Sequence, residues 1–171
     1  MRLTSKQVNL FIELSSVLTD FDRFTLQGTG QVDDYLQTLA SITGMEITLE
    51  LLEKFEGICQ LAHSENNLLG EIRKNILGDP KLGPVARNII KLWYTGTWYQ
   101  LPNDWREAYG ASDSDRTFFV SPSSYTEGLL WLAIGANPSG AKGPGYGSWQ
   151  SPPNIHFKDT WSYPPKVPME Q

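Results

Sequence analysis

The sequence predicts an all-α fold, a single domain of five or six helices that ends in a long irregular arm. Three observations carry that expectation. Apolar residues recur at spacings of three and four along most of the chain up to Leu132, which is the period of a helix with one buried face. No stretch shows the strict alternation of a half-buried strand, and no internal repeat appears. Beyond Gly135 the composition changes to glycine, proline and aromatics, a mixture that denies the backbone both helix and central strand. We therefore place a helical domain at residues 1–134 and an extended arm, packed on the domain or on a partner, at 135–171. A chain of 171 residues can bury one substantial core but not two.

The first helix follows from Thr4-Ser5-Lys6-Gln7, a capping-box pattern, and from Val8, Phe11, Ile12, Ser15 and Leu18 at helical spacing. Gly28-Thr29-Gly30 breaks the chain, and Val32, Tyr35, Leu36 and Leu39 restart the period up to Gly44. Thr48 is a candidate cap for a third helix with Leu51, Leu52, Phe55, Ile58, Cys59 and Ala62 on one face. Leu68, Leu69, Ile72 and Ile76 predict a shorter helix closed by Gly78. Asp79-Pro80 then turns the chain, and a helix begins near Pro84, because proline deep inside a helix would clash with the carbonyl four residues back. Its buried face is Val85, Ile89, Leu92, Trp93 and Gly96, the glycine allowing close approach of another element. From Thr97 to Val120 the period vanishes, which predicts a long loop. Ser121-Pro122 opens a last helix with Tyr125, Leu129, Trp131 and Leu132 on its apolar surface.

The charge balance narrows the function classes. A net charge of -5 and a pI near 5.0, with no basic stripe, argue against nucleic acid and anionic membrane as partners. No apolar run is long enough to span a bilayer. Met1 to Lys6 lead into the first helix without a signal core, so the expected location is cytoplasmic; a periplasmic one is open if a leader has been removed or a partner carries the export signal.

Catalytic chemistry needs converging titratable groups, and the candidates are few. The two histidines are His63, placed to meet the last carbonyls of the third helix, and His156, within the arm. The single cysteine, Cys59, falls on an apolar helix face and is expected to be a buried, inert thiol. Asp113 and Asp115 lack the glycine and glutamate of a calcium loop and read as solvated loop charge. Gly143-Pro144-Gly145-Tyr146-Gly147 looks superficially like a phosphate loop. It neither follows a strand nor opens a helix, and Pro144 removes a backbone donor. We expect no metal and no cofactor in this chain.

Several segments carry a resemblance. Phe11-Ile-Glu-Leu-Ser-Ser-Val-Leu-Thr19, Trp93-Tyr94-Thr95-Gly96-Thr97, Tyr125 to Trp131, and Gly143-Pro-Gly-Tyr-Gly-Ser-Trp149 with Pro152-Pro153 occur in an order similar to that in the small subunits of bacterial FAD-dependent sugar and polyol dehydrogenases, the sorbitol, fructose and glucose enzymes. The resemblance spans most of the chain through short motifs. It implies a subunit without a redox centre, bound to a large flavoprotein of the glucose-methanol-choline type that holds the FAD, with a cytochrome c subunit admitted in the full complex. Small subunits of that family often carry an export leader, and this sequence departs from them in having no twin-arginine segment.

An aromatic arm joined to a helical domain poor in catalytic groups fits a binding subunit. Trp93, Tyr94, Tyr125, Trp131, Tyr146, Trp149 and His156 are the candidates for packing the arm and shaping the partner interface, large aromatics contributing most per residue to such contacts. For Trp93 and Trp131 a plain core role is the competing reading. Two other classes stay open: a freestanding assembly chaperone for such a flavoprotein, and an independent enzyme using Tyr125, His156 and Glu127 in a pocket under the arm.

Overall fold

In the computed structural model, residues 3–62, 64–138 and 141 are described. Among them the fold is all-α, with only one miniature sheet. Helix α1 (Ser5–Thr19) has the expected capping box: the Thr4 hydroxyl accepts from the Gln7 backbone N–H, and the Gln7 side chain accepts from the Thr4 N–H. After α2 (Arg23–Gly28) come α3 (Val32–Thr43) and α4 (Met45–Leu61). Helix α5 (Glu65–Ile72) runs on as a π-helical turn, Arg73–Leu77, and α6 (Leu82–Thr95) follows. The remainder holds β1 (Thr97–Trp98), α7 (Asn103–Tyr109), β2 (Phe118–Phe119), α8 (Pro122–Thr126) and α9 (Leu129–Ala133).

Helices α1, α3, α4 and α6 enclose the core, and Trp93 of α6 lies within it. Its indole stacks on Phe11 of α1 at 6.2 Å between centroids and meets the edge of Tyr35 of α3 at 4.9 Å. Leu14, Leu39, Leu51, Phe55, Ile76 and Ile89 complete a continuous apolar interior.

Four boundaries differ from expectation, each for a local reason. Helix α4 starts at Met45 rather than after Thr48; Thr48 is buried within it and donates its hydroxyl to the Gly44 carbonyl at 2.9 Å. Helix α6 begins at Leu82 because the Asp79 carboxylate accepts the Lys81 and Leu82 backbone N–H groups, both at 2.8 Å. Pro84 therefore lies in the first turn, where the N–H it lacks is not needed. Helix α2 is too short to show a period and is set by Asp22, whose carboxylate accepts from the Thr25 N–H at 2.9 Å.

The last helix is divided in two at Gly128. A Cβ there would lie 2.8 Å from the Tyr94 carbonyl oxygen, so glycine lets this segment lie against α6.

The largest departure is the segment from Thr97 to Val120. It contains α7 and an antiparallel pair, Thr97 opposite Phe119 and Trp98 opposite Phe118. Polar hydrogen bonds, rather than an apolar stripe, organise it.

Candidate interaction surface

Asp115 organises the polar part of that segment. It is 2% exposed and accepts from the Trp98 indole N–H at 2.8 Å and the Leu101 backbone N–H at 3.1 Å. Arg106 brings its Nε within 3.2 Å, near enough for an ion pair though misaligned for a hydrogen bond. The expectation of solvated charge at Asp115 is thus corrected. An aspartate one residue from exposed Ser114 is drawn inside because two N–H donors and a guanidinium compensate its desolvation.

A second polar joint ties this segment to α6. Gly96, the α6 C-cap at φ 66°, has no Cβ, and one would lie 2.3 Å from the Ser124 carbonyl oxygen. The Ser124 hydroxyl donates to the Gly96 carbonyl at 2.9 Å, and the Val120 N–H donates to the same oxygen at 3.1 Å. The close approach expected of Gly96 is found here, with α8 as the approaching element. Gln31, which precedes α3, donates to the Ser123 hydroxyl and accepts from that of Ser121.

These joints present an aromatic row. Phe119 meets Tyr125 edge-on at 6.2 Å, and Tyr125 meets Trp131 edge-on at 5.3 Å. The Trp131 indole donates to the Tyr125 carbonyl at 2.8 Å, which fixes its orientation. Phe119 is 60% and Ile134 58% exposed, and Leu130, one turn before Ile134, is also exposed. Leu130 and Ile134 lie four residues apart, and neighbouring exposed apolar side chains mark a contact surface better than scattered ones do.

The residues expected to form the interface separate accordingly. Trp93 is 1% exposed and belongs to the core, so its interface reading is corrected: the wide face of α6 turns it inward between α1 and α3. Tyr94, half-buried, donates its hydroxyl to the Thr19 carbonyl at 3.0 Å and meets Phe21, joining α6 to the end of α1. Burial, then the nearby Asp20 carboxylate, pushes its phenol pKa above the ordinary value. Tyr125 and Trp131 lie together in the row. Tyr146, Trp149 and His156 lie outside the described residues, as does His63.

Phe119, Leu130 and Ile134 were not anticipated. Their signal in the sequence was the Phe118-Phe119 pair inside an apparent loop and an isoleucine directly before Gly135.

Cys59 is exposed, contrary to the buried thiol expected. It follows Ile58 at the edge of the α4 stripe, and one residue is about 100° of helix rotation. Partial desolvation, with the Glu13 and Glu56 carboxylates, raises its pKa, so the thiolate is disfavoured.

Among the described residues no group of three or more His, Cys, Asp or Glu side chains could hold a metal ion, and no helix is long and apolar enough to cross a membrane. Comparison with protein families, with curated proteins and with solved structures gives no match in any of the three.

Proposed function

We propose that this chain is a non-catalytic accessory subunit that binds, stabilises and assists maturation of a large FAD-dependent dehydrogenase subunit of the glucose-methanol-choline type. The observation that carries the reading is the aromatic row of exposed Phe119 and half-buried Tyr125 and Trp131, with exposed Leu130 and Ile134 on the same short segment as Trp131. Such a surface suits association with another polypeptide. Asp115, the buried carboxylate among the described residues, is engaged by Trp98, Leu101 and Arg106, a use that is structural. The flavoprotein class of the partner, its FAD, and a cytochrome c subunit in the full complex come from the resemblance of the short motifs.

Co-expression with a flavoprotein of that class encoded beside this chain tests the proposal. The expected outcome is a stoichiometric yellow complex that reduces a dye when given a sugar or polyol, while this chain alone stays colourless. A flavin spectrum that survives gel filtration of the isolated chain, or a flavoprotein that is soluble, active and unbound in its presence, would overturn it.

A further inference from the structure

The basic stripe that the sequence does not show is assembled by the fold. From Arg73 to Lys91 there are five basic residues and one acidic residue, Asp79, within a chain of net charge -5. Asp79 is engaged by the first N–H groups of α6, and Lys81 pairs with Glu50. Arg73, Lys74, Arg87 and Lys91 are exposed, and none is in an ion pair among the described residues. The Arg87 guanidinium donates to the Leu77 carbonyl at 2.9 Å, which joins the π-helical turn that carries Arg73 and Lys74 to α6.

Two of these charges are held in place without being neutralised. The partner of Arg87 is a carbonyl, and the Lys91 Nζ lies 4.9 Å from the centroid of the Tyr99 ring. Asn88 fixes that ring from within: its side-chain amide donates to the Tyr99 carbonyl at 2.6 Å, and its side-chain oxygen accepts from the Tyr99 N–H at 3.2 Å. Residues four apart on a helix stand about 5–6 Å apart at their Cβ atoms, where like charges repel. That spacing is less than the screening length, about 8 Å at physiological salt. Both cations therefore act on the same incoming anion.

We propose that the flank of α6 carrying Arg87 and Lys91, supported by the Tyr99 ring, is a docking surface for an acidic segment of a partner polypeptide. An extended segment places side chains of one face about 7 Å apart, close to the spacing of the two cations, and each carboxylate gains a charge-assisted hydrogen bond. Nucleic acid or an anionic bilayer carries its charge over a far wider area and would meet the acidic remainder of a chain whose net charge is -5, where the field is repulsive. A short segment meets only the local field. The inference uses no residue of the aromatic row and does not rest on the flavoprotein reading.

Nuclear magnetic resonance titration of the full isotope-labelled chain with a terminally blocked hexaglutamate peptide tests it. Saturable amide shifts should centre on Arg87, Lys91 and Tyr99, with a dissociation constant that rises about fivefold between about 50 and 250 mM salt. Arg87→Gln combined with Lys91→Gln should weaken binding about tenfold, with the helical circular dichroism unchanged. Lys91→Gln alone leaves the hydrogen bond to Leu77 in place and should weaken it about threefold. Lys6→Gln with Arg23→Gln removes as much positive charge elsewhere and should change the affinity by less than about twofold. Shifts centred on other residues, equal weakening by the two double variants, or binding indifferent to Lys91→Gln would overturn the proposal. So would tighter binding of a DNA duplex or of phosphatidylglycerol vesicles at the same residues, or shifts there on simple dilution, which would make a second copy the occupant. Each of these results leaves the co-purification experiment free to succeed or fail by itself.

Discussion

The helical body and the segment from Thr97 to Ile134 are held together in different ways. In the body, Trp93, Phe11 and Tyr35 fit by shape, and polar groups are incidental: the Trp93 indole nitrogen, the Tyr35 hydroxyl and the Ser15 hydroxyl are buried with no hydrogen-bond partner. In the later segment, few apolar side chains are fully enclosed, and Asp115 and Ser124 collect the hydrogen bonds that set its path. Apolar packing tolerates a few unsatisfied groups because its total is large. The later segment has one such atom, the Arg106 Nε, and it faces the Asp115 carboxylate at 3.2 Å, so charge compensates where a hydrogen bond does not.

Three substitutions probe this difference. Trp93→Ala removes the largest side chain at the junction of α1, α3 and α6, and we expect a loss of about 4 kcal/mol in urea unfolding, from transfer and cavity terms together. Unfolding should remain a single transition, because the cavity lies in the shared core.

Asp115→Ala should cost about 3 kcal/mol, by leaving buried Trp98 and Leu101 donors unmatched and Arg106 without its carboxylate. Here the expected signature is regional: faster amide hydrogen exchange across Thr97 to Val120, with α1, α3 and α4 little changed. Uniform acceleration throughout the chain would remove the distinction between the two regions.

The smallest effect has the opposite sign. Tyr35→Phe deletes a hydroxyl that has no partner, and should stabilise the protein at neutral pH by up to about 1 kcal/mol. It should also alter the alkaline limit. Burial first, then the Asp34 and Glu127 carboxylates, raise the Tyr35 pKa above the ordinary 10.0. The folded chain therefore keeps a proton that the unfolded chain releases. Stability is complete below about pH 10 and declines as pH rises above it. In Tyr35→Phe that decline should be shallower, measured as midpoint against pH from 9 to about 11.

The two regions also differed in how well they could be read from sequence. In α1, α3 and α4 the burial of one face writes a period into the residues, and Phe11, Leu39 and Phe55 announce their roles. The Thr4 box and the Gly96 close approach were legible because each depends on residues within one turn or on the absence of a side chain. Asp115 was not legible, since its partners Trp98 and Leu101 are set by a turn of chain that shows no period. Nor was the division of α8 from α9, for Gly128 is explained only by the Tyr94 carbonyl against it. Among the expected interface residues, Tyr125 and Trp131 were found side by side, whereas Trp93 was indistinguishable from them until α6 had a neighbour on each side. Cys59 shows the same limit on a smaller scale, a residue at the margin of a stripe whose side a period alone does not decide.

The joint at Gly96 has a consequence for tracing ancestry. With the Ser124 carbonyl oxygen 2.3 Å from where a Gly96 Cβ would be, and the Tyr94 carbonyl oxygen 2.8 Å from where one on Gly128 would be, a side chain at either position would force the two segments apart. Trp93-Tyr94-Thr95-Gly96 and Ser124-Tyr125-Thr126-Glu127-Gly128 thus form a paired signature whose two halves constrain each other through space. Distant relatives whose remaining residues have diverged beyond recognition should still carry those glycines, with a small hydroxyl residue four positions before the second. A search built on that pair, tolerant of any intervening length, would test whether the two glycines and the hydroxyl residue travel together.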